Sequence, residues 1–269
     1  MNINSVKLIY YSPTHTTKRV LEGIAQGIRI DTVEKIDLTP PERSWESEEM
    51  RDELAIVGAP VYGGRIPPDA VHRLRRLKAY AVPAVIVVVY GNREYEDALL
   101  ELKDICVEVG FIPVAGGVFI GENTANYALN DETAKIAPGR PDSEDLMKAS
   151  EFGRVVWRKV RDTRALDGLS PLQVPGNFPY REWTKPPGTS PATQETLCTK
   201  CADCAKVCPT AAIVVGDQVM TDQDACIMCC ACVKYCPTGA RVCDHTWMKQ
   251  AGEWLSANCR ERKEPEIYV

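Results

Sequence analysis

Continuous apolar, β-branched runs ending in Gly, Ser or Pro occur at "VKLIYYS" (Val6 to Ser12), "ELAIVGAP" (Glu53 to Pro60), "AVIVVVYG" (Ala84 to Gly91) and "FIPVAGGVFIG" (Phe111 to Gly121). Runs of this kind suit strands buried on both faces. "TVEKIDLT", Thr32 to Thr39, supplies a fifth. Among and after them, apolar residues recur at helical spacing from Thr16, Pro68, Tyr95 and Ser143. Strand alternating with helix predicts an α/β unit over residues 1–165, a doubly wound parallel sheet of five strands. In open sheets of this class ligands sit beyond the carboxyl ends of the strands, which singles out the loops after Ser12, Pro60, Gly91 and Gly121.

The periodicity then stops. Residues 166–193 read as a linker, since "SPLQVPGNFPYREWTKPPGTSPAT" from Ser170 is dense in Pro and Gly. Phe178, Tyr180 and Trp183 within it predict that the linker packs against a domain rather than swinging free. Residues 194–269 form a second unit too small to rely on an apolar core alone. Its last stretch, from Asp244, reads as a helical extension covering that unit.

Composition narrows the class of protein. The chain has 269 residues and a formal net charge of -5, which offers no footprint for nucleic acid. Its one basic run, "HRLRRLK" at His72 to Lys78, reads as a solvated helix face. No leader-like amino terminus and no apolar stretch of roughly 18 residues occurs, so no membrane span is predicted and the expected compartment is the cytoplasm. Thiols stay reduced there. Twelve cysteines in such a chain argue for metal ligands over disulfides.

Eight of those cysteines fall in two copies of one pattern, "CTKCADCAKVCP" at residues 198–209 and "CIMCCACVKYCP" at residues 226–237. Both are C-x2-C-x2-C-x3-C-P, the run of bacterial two-cluster ferredoxins, in which the fourth cysteine of each run ligates the other cluster. That resemblance implies one [4Fe–4S] cluster on Cys198, Cys201, Cys204 and Cys236, and a second on Cys226, Cys229, Cys232 and Cys208. A structural zinc site needs four ligands in two well-separated pairs, and eight in two tight runs suit it poorly. Cys106, Cys230, Cys243 and Cys259 remain and read as small buried hydrophobes.

The loop after the first strand, "SPTHTT", carries four hydroxyls just before a helix. Hydroxyls and free N–H groups at a helix start favour an anion, although one of them could simply be a cap. Neither a Rossmann nor a Walker glycine fingerprint occurs in the chain. The loop resembles the S-x-T-G-x-T phosphate loop of flavodoxins, with His15 at the usual glycine. The resemblance implies that Ser12, Pro13, Thr14, His15, Thr16 and Thr17 hold the phosphate of FMN. His15 could also offset phosphate charge. It further implies that Pro60, Val61, Tyr62, Gly63 and Gly64 in the second loop, and Tyr90, Gly91, Asn92, Arg93 and Tyr95 in the third, wrap the ring, with Tyr62 or Tyr95 stacked on it.

As a whole the chain resembles flavodoxin–ferredoxin fusion proteins of anaerobes. That implies single-electron relay between two [4Fe–4S] clusters and an FMN, linking donor and acceptor redox proteins, with no catalytic residue of its own. The alternative is a flavin-dependent reductase of a small substrate fed through the clusters, which calls for polar groups converging near the ring, as "GENTANY" from Gly121 could supply. A third reading keeps the front unit only as a docking module without flavin.

Overall fold

The structure, a computed structural model, describes residues 3–41, 49–129, 131–163, 166, 170–186 and 188–269. Residue 165, the expected end of the front unit, lies outside them. In chain order the front unit runs β1 (Val6–Tyr10), α1 (Thr16–Ile28), β2 (Val33–Asp37), β3 (Glu49–Met50), β4 (Leu54–Pro60), α2 (Pro68–Leu74), β5 (Lys78–Ala79), β6 (Val82–Tyr90), α3 (Ala98–Glu108), β7 (Phe111–Ile120), 3-10 turns at Thr124–Ala128 and Glu132–Ala134, and α4 (Ser143–Asp162). There follow β8 (Ala192–Thr193), α5 (Asp203–Lys206), β9 (Ile213–Val215), β10 (Val219–Thr221), α6 (Ala231–Lys234), β11 (Arg241–Val242), α7 (Thr246–Asn258) and β12 (Glu266–Tyr268).

The main sheet has the order β12-β7-β6-β4-β1-β2. Its five parallel strands, counted along the chain, lie 2-1-3-4-5, the flavodoxin-like order, with the switch point between β1 and β4. The sixth strand was not legible in the periodicity: the C-terminal β12 returns and pairs antiparallel with β7. Alternation along β1 sends Val6, Leu8 and Tyr10 to one face, where α1 and α4 cover them, and Ile9 with the following Tyr11 to the other. Helices α1 and α4 approach closely at Gly27 and Gly153, where an added Cβ would collide with the carbonyls of Ser150 and Ile24. A capping box starts α4, with the Asp142 carboxylate accepting from the N–H groups of Glu144 and Asp145.

Beneath α2 and α3, the second apolar layer does not stop at the front unit. Ile227, Cys229 and Ala231 are buried in the same core as Ile9, Tyr11, Val57 and Val88. In the basic run His72, Arg75, Arg76 and Lys78 are exposed, as a solvated face requires, and Arg73 departs from it. Arg73 is buried, and its guanidinium donates to the carbonyls of Leu38 and Thr39, each at 2.7 Å, and of Pro209 at 2.6 Å. A buried cation is tolerated only with its donors satisfied, and the bond to Pro209 ties the second unit to the front one.

The linker is pinned. The carboxylate of Asp97, buried at the start of α3, accepts from the N–H groups of Asn177 and Arg181, both at 2.8 Å, and the Tyr180 hydroxyl donates to Asp104 at 2.6 Å. Further on, Lys185 donates to the carbonyl of Cys226 at 2.7 Å.

Candidate functional site

At the carboxyl edge of the parallel strands lies a cavity of about 440 Å³, within the usual range of cofactor sites. All four loops singled out by the periodicity border it: Ser12, Pro13, Thr14, Thr16 and Thr17 after β1, Pro60 to Gly64 after β4, Tyr90, Gly91 and Arg93 after β6, and Gly121 to Ala125 after β7.

Three residues expected among these turn elsewhere. The His15 ring meets Tyr235, whose hydroxyl is 3.1 Å from Nδ1. The Asn92 side-chain amide donates to the carbonyls of Cys259 at 2.7 Å and Glu261 at 2.8 Å. The Tyr95 hydroxyl donates to Glu266 at 2.8 Å and lies 2.9 Å from that of Tyr268, anchoring β12.

The remaining wall comes from segments far along the chain: Trp183 to Pro186 of the linker, Ile227 and Met228 between two cysteines, and Trp247, Met248, Ala251, Trp254 and Leu255 of α7. So α7 does more than cover the second unit. Its Gly252 faces Leu129 and the Ala125 carbonyl of the front unit, close enough that an added Cβ would lie 3.0 Å from Leu129. Periodicity carries no trace of this, although the two tryptophans of the extension were a signal that it covers something apolar.

The first loop has the local geometry an anion needs. His15 takes φ +61°, the left-handed turn at which glycine is most at ease, and it does not cap α1 with its side chain. No acidic residue occupies the first turn of α1, so its positive end faces the cavity edge unneutralised. Ser12 Oγ accepts from the N–H of Lys18 at 3.1 Å, and the Thr14 and Thr16 hydroxyls are 2.9 Å apart. From the second unit, Lys234 Nζ donates to the Thr14 carbonyl at 3.2 Å, bringing a cation to the loop. In the second loop Gly63 and Gly64 both have positive φ, +62° and +82°, and turn the backbone sharply at the cavity wall. Trp183 borders the same cavity with its Nε1 buried and unpartnered. A donor in that condition is costly to bury unless a ligand accepts from it.

The eight cysteines gather into two rings. Cys198, Cys201, Cys204 and Cys236 surround one small cavity, and Cys208, Cys226, Cys229 and Cys232, with Cys230 beside them, surround another, so the fourth cysteine of each run crosses to the other ring. The sequence repeat is repeated in three dimensions: Lys200 and Met228, then Ala202 and Cys230, take positive φ at matching positions before the four-residue helices α5 and α6. These left-handed turns curl each loop round its ring. Amide donors reach sulfur, with Ala212 N–H to Cys208 Sγ at 3.3 Å and Met228 N–H to Cys226 Sγ at 3.5 Å. Four thiols round a void, with donors aimed at their sulfurs, are a fitting donor set for an iron–sulfur cluster.

Burial pushes the Cys226 and Cys229 thiols up and holds Cys232 at about 11, against the pull of Arg241. Burial also opposes ionisation of Cys236, but N–H groups of Arg241, Thr238 and Ala240 with the Thr238 hydroxyl outweigh it and lower its pKa. Cys230 is buried with Cys243, Met228 and Met248, and Cys106 is buried on the inner face of α3, whereas Cys259 is partly exposed.

Two residues link the three voids. Ile227 borders both the large cavity and the inner ring. Arg241, 3 % exposed, borders both rings, its guanidinium 3.7 Å from Cys232 Sγ and bonded to Thr193, Thr221 and the Pro191 carbonyl. The outer ring reaches the surface through the exposed Cys201.

Residues 191–261 match the family model of the 4Fe-4S dicluster domain. No curated protein matches the chain. Among solved structures, a flavodoxin from the domain Archaea is 16% identical at a TM-score of 0.37, with 58% of this chain and 99% of that one covered. A flavodoxin of Streptococcus pneumoniae TIGR4 is 17% identical at 0.41, covering 58% and 99%. Oxidised flavodoxin 1 of Bacillus cereus is 18% identical at 0.37, covering 58% and 97%. The strand order and the dicluster match together identify a flavodoxin-like α/β unit followed by a 4Fe–4S dicluster domain.

Proposed function

We propose that this chain is an electron carrier holding one FMN and two [4Fe–4S] clusters, and that it links low-potential donor and acceptor proteins. The observation that carries this reading is spatial order: the cavity and the inner ring share Ile227, the two rings share Arg241, and the outer ring has the exposed Cys201. FMN supplies one- or two-electron storage and the clusters supply single-electron traffic.

The chain's residues supply the holding and tuning. Thr14, Thr17 and the first N–H groups of α1 bind the phosphate, with Lys234 offsetting its charge. Tyr62 and the backbone of Gly63 and Gly64 contact the ring, and Trp183 donates a hydrogen bond to it. Trp247, Met248 and Trp254 shut water from one side of the cavity, which favours electron exchange through the protein over direct reaction with solutes. Arg241 places a fixed positive charge between the rings, making both clusters easier to reduce.

The reductase reading keeps one observation in its favour, since Glu122 borders the cavity. Its neighbour Asn123 is already committed, donating to the Gly91 carbonyl at 2.6 Å and accepting from the Ala125 N–H at 2.9 Å. Anaerobic purification with iron, sulfide, zinc and flavin counts tests the proposal: about eight irons and one FMN per chain are expected. Zinc in place of iron, or no flavin after reconstitution, refutes it. A small acceptor that reoxidises the dithionite-reduced protein with saturation kinetics, where redox proteins do not, would favour the reductase.

A further inference from the structure

Tyr11, the last residue before the phosphate loop, is fully buried, and its hydroxyl has no hydrogen-bond partner. A phenol in that position forfeits its bond to water and gains nothing in exchange. The alternation along β1 turns it away from α1 and α4 and into the core that also holds Ile227 and Cys229. The ionisable groups acting on its hydroxyl are Cys229, Asp69, Arg73 and Cys208. Of these, Asp69 is an acceptor to which the hydroxyl makes no bond, and Arg73 has no acceptor to offer. Its guanidinium stands 5.5 Å from the Tyr11 ring centre and is committed to the carbonyls of Leu38, Thr39 and Pro209. Cys229 and Cys208 both belong to the inner ring.

We propose that Tyr11 is a positioning and tuning residue of the inner cluster, donating its hydroxyl to the sulfur on the Cys229 side. The proposal rests on the cluster part of the function above. Reducing a cluster adds one electron to an already anionic group, and a donor aimed at its sulfur stabilises the added charge. The front unit thereby sets the potential of a centre whose ligands all come from the second unit. Ser12, the next residue, borders the large cavity, so β1 ends as a wedge between the two sites.

The test is Tyr11→Phe in the full holoprotein, with dithionite as reductant and redox titration followed by electron paramagnetic resonance. Iron and sulfide counts equal to wild type are expected, with one cluster roughly tenfold harder to reduce, a fall of about 59 mV by the one-electron conversion, and the other unmoved. Tyr10→Phe, on the opposite face of the sheet, should leave both potentials in place. Full cluster content with neither potential moved, or both moved equally, overturns the proposal. If Tyr11→Phe fails to assemble, the full chain with 3-fluorotyrosine, a stronger phenol donor, incorporated at position 11 alone decides. One potential must rise, and no change or a fall overturns the assignment. An iron count short of two clusters in wild type would instead refute the cluster reading itself.

Discussion

At the scale of single residues, the loop after β1 shows how a departure from a pattern is absorbed. His15 occupies a position with φ +61°, an orientation in which histidine is among the better-tolerated residues other than glycine. Its ring meets Tyr235 while the residue stays exposed. Burial, then Lys18 and Lys234, lower its pKa from 6.5, and Asp37 and Glu22 oppose them less strongly. The folded chain therefore holds fewer protons than the unfolded chain just below pH 6.5. Stability should fall as pH drops through that window and level off below the folded value. Urea midpoints across that range should show the decline in wild type and its loss in His15→Asn, which also accepts the left-handed turn. At the same loop, Thr14→Ala with Thr17→Ala should weaken FMN by about 1 to 3 kcal/mol each. Riboflavin affinity should barely change, and titration of flavin fluorescence distinguishes the two.

At the scale of elements, the C-terminal segment is where sequence reading fell short. A three-residue strand and a helix of modest amphipathicity carry little local signal, because their partners lie more than a hundred residues away. What holds them is tertiary. Asn92 bonds two carbonyls of the segment, Arg140 bonds the Lys263 carbonyl at 2.8 Å, and Lys263 Nζ bonds the Arg93 carbonyl at 2.6 Å. Asn92→Ala should cost about 1 to 3 kcal/mol through the loss of two hydrogen bonds to partly exposed carbonyls, and it should loosen α7 over the cavity. The expected readout is a lower melting temperature with faster flavin release, both measurable on one sample. The elements of the front unit, by contrast, start and stop within a few residues of where their periodicity places them, because a parallel sheet buried on both faces demands continuous apolar runs.

For the whole molecule, the crossing of the fourth cysteines sets a specific expectation. Cys208→Ala should remove the inner cluster and Cys236→Ala the outer one, although each lies in the run that mainly builds the other. Iron counts falling by about half in both, with different signals surviving in paramagnetic resonance, would meet it. Because ligation free energy is folding free energy in so small a unit, each substitution should also lower its melting temperature. Cys208→Ala should disturb the front unit more, since its neighbour Pro209 accepts from Arg73 and the inner ring is continuous with the front core. Limited proteolysis of the two variants would register that difference.

The chain by itself determined the five parallel strands, the four loops at their carboxyl ends and the two runs of four cysteines. Each of these is written in short-range spacing: period, turn residues, and the three-residue steps between thiols. Only the tertiary structure decided that Asn92 and Tyr95 serve the C-terminal tail, that Arg73 is an interface residue, and that α7 and the linker complete the cavity. It also decided that Tyr11, indistinguishable in sequence from any core tyrosine, buries its hydroxyl without a partner in the core that also holds Cys229. These depend on which surfaces two separately patterned units bury against each other. That choice is made by the fit and charge of whole faces, for which no local spacing in the sequence is a proxy.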